Sequence, residues 1–196
     1  MTRPILLMFL VLLLIAAGLG FYAYHLKRRV ALEEQRLAQQ PQVVAPPASG
    51  PTTLVTLYVA SDADGSLARV QDNVALPQER SERARAVLRA LLSKYLQNPS
   101  PHPIGASSDV RDVFLMGNDT AVVDTSAGFA DAHPSGVLVE ELTIASIVDT
   151  LNANDPQISR VKILVDGKER DTLAGHADLR RFYLASGLGQ LMKDVK

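Results

Sequence analysis

The apolar and polar positions divide the chain into stretches of different rhythm. From Ile5 to Tyr24 the run ILLMFLVLLLIAAGLGFYAY carries no charge and reaches the roughly 20 residues with which a helix crosses a hydrocarbon core. It reads as a membrane anchor, with Phe21, Tyr22 and Tyr24 as its aromatic belt. Arg28 to Gln40, RRVALEEQRLAQQ, is polar and helix-favouring, a stalk beyond the membrane. Pro41 to Pro51, PQVVAPPASGP, combines proline with small residues and reads as an extended spacer. The expected organisation is an anchor with a short tail over 1–27, stalk and linker over 28–51, a folded domain over 52–185 and a C-terminal tail over 186–196.

Within that domain TTLVTLYVAS is apolar and β-branched, as a buried first strand is, and DADGS breaks it before LARVQDNVALP resumes an extended pattern. The period then changes to that of a helix: Ala84, Val87, Leu88, Leu91, Leu92 and Tyr95 share one face, with Arg85, Arg89 and Lys94 opposite. VRDVFLMGNDTAVVDTS reads as two strands joined at Gly117-Asn118-Asp119. A second helix, about Ser135 to Asn152, is apolar around most of its circumference. RVKILVDGKERDTL reads as a strand, a tight turn at Asp166-Gly167 and a second strand. The order β-β-α-β-β-α-β-β predicts an α+β fold, two helices packed on a mostly antiparallel sheet, after one N-terminal transmembrane helix.

Charge and composition remove several functions. The net charge is -1, with 20 basic and 21 acidic residues, and no basic field of the kind nucleic acid requires. The chain has no cysteine, which excludes disulfides, thiolate metal sites, thiol nucleophiles and a lipid-modified N-terminal cysteine. No G-x-S-x-G elbow and no glycine-rich phosphate loop occurs, so no cofactor is expected.

The densest chemistry lies between Leu164 and Leu179, LVDGKERDTLAGHADL. Turn geometry accounts for Asp166 and Gly167, and Glu169 and Asp171 fit an edge strand. His176 and Asp178 are spaced so that an imidazole could meet a carboxylate for general-base or metal chemistry, or could tie the end of the domain to its body. A metal site would need further convergent ligands that the spacing does not supply. Asp62 to Ser66 lacks the acidic pattern of a calcium loop and reads as a hairpin turn. Glu140 and Glu141 fall in the first turns of the second helix, where negative charge suits the helix dipole. His25, His102 and His133 have no partner identifiable from spacing.

The order of segments resembles the GerMN domain, the sporulation and spore germination domain of bacterial envelope proteins. LYVASDADGSL resembles its opening strand and turn, RARAVLRALL its first helix and AVVDTSAGF its central strand, with Asp124 in the Val-Asp pair. EELTIASIVDTL is similar to the second helix and VKILVDGKERDTLAGHADL to the closing hairpin with its Gly-His-x-Asp ending. The resemblance runs from Leu54 to Leu179, in a single copy. It implies an α/β fold like the ring-building modules of secretion machines, no catalysis, and a place outside the cytoplasmic membrane. It also makes Asp124, Asp166, Gly167, Gly175, His176 and Asp178 a fold signature, with Gly175 permitting a bend.

The expected function is a non-enzymatic extracytoplasmic scaffold, held in the membrane by Ile5 to Tyr24, with envelope proteins or itself as partner. Two alternatives stand beside it: a small-ligand or cell-wall-binding module, and a hydrolase using His176 with Asp178 or Asp124. Lys27, Arg28 and Arg29 follow the apolar span, and the positive-inside rule alone would place the domain in the cytoplasm. The length of the family resemblance favours the opposite side.

Overall fold

The computed structural model describes residues 51–185; the expected anchor, stalk and C-terminal tail lie outside them. Among the described residues no helix is long and apolar enough to cross a membrane.

Strands β1 (Thr52–Ser61) and β2 (Ser66–Ala75) form a hairpin, paired without interruption from Ser61↔Ser66 to Thr52↔Ala75. Asp62 to Gly65 make its turn, and Gly65 supplies a φ of 64°. Helix α1 (Arg80–Tyr95) starts where the Glu79 carboxylate accepts the amides of Ser81 and Glu82 at 3.1 and 2.7 Å. Its buried residues are the six apolar positions of its helical period, Ala84 to Tyr95.

Strands β3 (Val110–Met116), β4 (Thr120–Thr125), β5 (Arg160–Val165) and β6 (Tyr183–Leu184) form a second sheet in that order. Between β4 and β5 run a short helix α2 (Ala127–Asp131) and the long helix α3 (Val137–Asn154). That crossover lets β4 and β5 lie parallel, whereas the other neighbours are antiparallel. The fold is therefore α+β with mostly antiparallel pairing, built on two sheets rather than the single sheet expected. Leu88, Leu91, Leu142, Ile144, Ile147 and Ile163 are among the fully buried side chains of a shared core. Burying each contributes about 1.5–3 kcal/mol before entropy is charged against it.

Helix side chains cover two of the sheet edges. The outward amides of Thr56, Tyr58 and Ala60 on β1 donate to Asn154 Oδ1, Thr150 Oγ1 and Tyr95 Oη at 3.1, 2.9 and 2.9 Å. On β3, the carbonyl of Val110 accepts from Arg89 at 3.0 Å, while Arg89 also grips Asp109 through two nitrogens. These contacts satisfy backbone groups that a bare edge would leave to solvent or to another chain.

The end of the domain departs from expectation. The Asp166-Gly167 turn forms, with φ of 55° and 72° and reciprocal backbone bonds between Val165 and Lys168. The second strand of the expected hairpin does not: after one bridge at Lys168 the backbone leaves the sheet, and only Tyr183 and Leu184 return to pair with β5. The physical reason lies in what the intervening loop binds.

Candidate functional site

Leu173, Ala177 and Leu179 are buried anchors of a loop that folds on itself through Leu173 N–H to Ala177 O and Leu179 N–H to Asp171 O, each 3.0 Å. Its amides turn inward onto Glu140, one turn into α3. Glu140 Oε2 accepts from Ala174, His176 and Ala177 at 3.0, 2.9 and 2.9 Å. Oε1 accepts from the Gly136 amide at 3.2 Å and lies 2.8 Å from His176 Nδ1. Gly175, at φ 120°, provides the reversal that aims amides on both sides of it at one carboxylate.

Glu140 is wholly buried. Burial pushes its pKa up, but the Ala174 amide, the His176 ring and the amides of Ala177 and His176 together pull it down to about 2. The anion faces Nδ1, which therefore carries the proton and donates. Ser135 Oγ lies 3.5 Å from the same nitrogen. His176 meets Glu140 rather than Asp178. The Asp178 side chain is spent on Arg180, accepting its amide and Nε at 2.9 and 3.0 Å, and these bonds hold its pKa below the usual carboxylate value.

Asp124 is buried on β4 and accepts the Gly167 amide at 2.6 Å. Arg111, across on β3, stands 3.6 Å from Asp124 and also pairs with Asp166. An added Cβ at Gly167 would meet nothing within 4 Å, so its φ rather than crowding explains the glycine. The two groups of signature residues are thus separate: Asp124, Asp166 and Gly167 secure the turn, while Gly175 and His176 enclose Glu140. Residue spacing does not assign Glu140 to this set, because the helix dipole already accounts for an acid at that position; its place on the buried side of a largely apolar helix is the available signal.

His102 and His133 do have partners. His102 Nδ1 lies 2.5 Å from Asp62 in the hairpin turn, and its Nε2 lies 2.6 Å from Thr143 Oγ1 on α3. His133 Nε2 reaches the same hydroxyl at 2.7 Å while its Nδ1 meets the Pro134 carbonyl at 2.7 Å. Burial lowers the His133 pKa. This Asp–His–Thr order has the connectivity of a nucleophile with its base, yet Thr143 and His102 are fully buried and the hydroxyl also donates toward Val139 O at 3.1 Å. Its position ties the β1–β2 turn and the proline-rich loop to α3. Among the described residues no group of three or more His, Asp or Glu is placed to hold a metal ion.

At the other end of α3 a groove of about 400 Å³ opens between β1, α1 and the α3–β5 turn. Val55, Ala84, Val87, Leu151 and Ile158 give it an apolar floor, and Arg80, Arg83 and Asn154 stand among its polar lining. Arg80 is bound to Asp155 at 2.5 Å.

The α+β fold, with its crossover helix and its buried Glu140 enclosed by the closing loop, defines a small domain of mostly antiparallel pairing. The chain belongs to the family described as Germane, sporulation and spore germination, which it matches over residues 56–171, more than half its length. The match ends before Gly175, His176 and Asp178. Among solved structures, the chain is similar to a protein described as a lipoprotein from Clostridium perfringens, at 19% identity and a TM-score of 0.48, covering 74% of this chain and 95% of that one. It is also similar to the tandem GerMN domains of the sporulation protein GerM from Bacillus subtilis, at 22% identity and TM-score 0.47, over 66% of this chain and 44% of that one. For the first GerMN domain of the same protein the identity is 22%, the TM-score 0.46 and the coverage 65% and 93%. No curated protein matches the chain.

Proposed function

We propose that this chain is a membrane-tethered, non-enzymatic binding or scaffold protein of the bacterial cell envelope, with its domain on the extracytoplasmic side. The observation that carries this is the saturation of Glu140. The carboxylate that partners His176 Nδ1 also accepts backbone amides at three points of the closing loop, so it is built into the architecture of the domain. The chemistry of the Gly-His-x-Asp ending is thereby used to hold the fold, and function passes to surfaces. Membership of a sporulation and germination family supports an envelope role, and the uncharged run from Ile5 to Tyr24 supports the tether.

Because the chain has no cysteine, a single one introduced as Ser49→Cys reports the side on which the domain lies. Labelling of intact cells by a membrane-impermeant maleimide, with a cytoplasmic thiol as the permeability control, is the expected outcome. Labelling only after lysis would overturn the envelope reading. The groove favours a second reading, a small-ligand or peptidoglycan-binding module; retention of the purified protein on isolated cell wall would select it.

A further inference from the structure

The hydrogen bonds of β1 change character along its length. In the β1–β2 register Leu54, Thr56, Tyr58 and Ala60 lie at every second position, so their amides and carbonyls share one edge. At Thr56, Tyr58 and Ala60 the amide on that edge is capped by Asn154, Thr150 and Tyr95. At Leu54 it is not. Neither its N–H nor its C=O has a partner among the described residues, and its side chain is 56% exposed. The open position lies on the wall of the groove, above the floor of Val55, Val87, Leu151 and Ile158.

The charges at the mouth are unequal. Arg80 is bound to Asp155, whereas Arg83, although it acts on Asp155 and Glu79 through space, has no carboxylate within ion-pair distance among the described residues and donates to the Gln78 carbonyl at 3.3 Å. An occupant that complements this site has three parts. It has an extended backbone to exchange two hydrogen bonds with Leu54, an apolar side chain for the floor, and a carboxylate within reach of Arg83.

We infer that the groove binds an extended, acidic peptide segment of a partner protein, added as a short strand to the open end of β1. This rests on the binding-module reading above and names the partner's chemistry. The helix caps stop where the groove begins, and Arg83, without a direct carboxylate contact among the described residues, stands at the same mouth. A peptide supplies the missing backbone groups, the apolar anchor and the negative charge in one ligand.

The test uses the full ¹⁵N-labelled chain in detergent micelles and two acetylated, amidated pentapeptides, Thr-Val-Leu-Val-Glu and the same sequence ending in Gln. The Glu peptide is expected to slow exchange of the Leu54 amide by about tenfold at saturation. Arg83→Glu is expected to weaken the Glu peptide by about fivefold more than the Gln peptide. An unchanged Leu54 amide at about 1 mM peptide, or equal effects of Arg83→Glu on both peptides, would overturn the proposal. A third measurement repeats the titration on a chain whose residues 41–50 are replaced by glycine and serine. Binding only there would mean that the chain's own spacer fills the groove, and the partner assignment would fall. Ser49→Cys labelling separates the two levels: a domain in the envelope with a silent groove loses only this inference, whereas a cytoplasmic domain removes the envelope reading whatever the groove binds.

Discussion

The two ends of α3 solve the same problem in opposite ways. At the N-terminal end a buried acid is surrounded by donors until no amide of the closing loop faces it unpaired. At the C-terminal end Thr150 and Asn154 satisfy β1 at Tyr58 and Thr56, and then the helix stops, leaving Leu54 open. The completed hydrogen bonding around Glu140 marks a contact by which the molecule maintains itself. An interrupted series of caps marks the part available to something else.

Breaking the closed end should have the largest effect. Glu140→Ala takes the acceptor from the amides of Ala174, His176 and Ala177, the last of them buried, and a loss of about 3 kcal/mol is expected in urea denaturation. Its pH dependence gives an independent check. The folded pKa of about 2 lies below the ordinary 4.5, so the contribution is complete above the unfolded value and disappears as pH falls through about 2. Glu140→Ala should therefore flatten the acid limb of the stability profile; an unchanged limb would place the acid sensitivity elsewhere.

Thr143→Val comes next. It removes the hydroxyl shared by His102 and His133 while keeping the shape of the side chain, and should cost about 2–3 kcal/mol by the same denaturation measurement. Nearer the open end, Asp149 works in the other direction. Burial raises its pKa from 3.8 to about 6, so the folded state holds the proton better than the unfolded state. Stability is lost as pH climbs between those values. Asp149→Asn should accordingly raise the melting temperature at pH 7, by the equivalent of about 1–2 kcal/mol, and leave it nearly unchanged at pH 4. The smallest pair sharpens the contrast within one motif. His176→Ala, leaving Glu140 its amides, should cost about 1 kcal/mol, and Asp178→Ala, whose carboxylate meets only exposed Arg180 among the described residues, should leave the denaturation midpoint nearly unchanged.

Periodicity made much of the scaffold legible before any coordinates. The buried face of α1 follows from residue spacing, and the turn at Asp166-Gly167 from the demand for positive φ. What spacing could not disclose are contacts made between segments far apart in sequence. Glu140 and His176 are separated by 36 residues, and His102 and Thr143 by 41; nothing local identifies either partner. The ERDTL stretch has a strand's composition but no ladder, because the loop beyond it is drawn onto Glu140. β6 is too short at two residues to carry a pattern, and the β4–β5 pairing depends on where a helix returns the chain.

The enclosure of Glu140 also sets an order of events for a chain made from its N-terminus. The β1–β2 hairpin can close as soon as Ala75 is available, since its contacts are local. β4 must wait for β5, across a connection containing both α2 and α3. The carboxylate of Glu140 waits longest, because its principal donors arrive only with residues 174–177. Until then α3 carries a charge that the core cannot accept. A chain cut at residue 171, where the family match ends, would hold nearly every strand and helix of the domain, yet would lack the segment that makes its interior electrically tolerable.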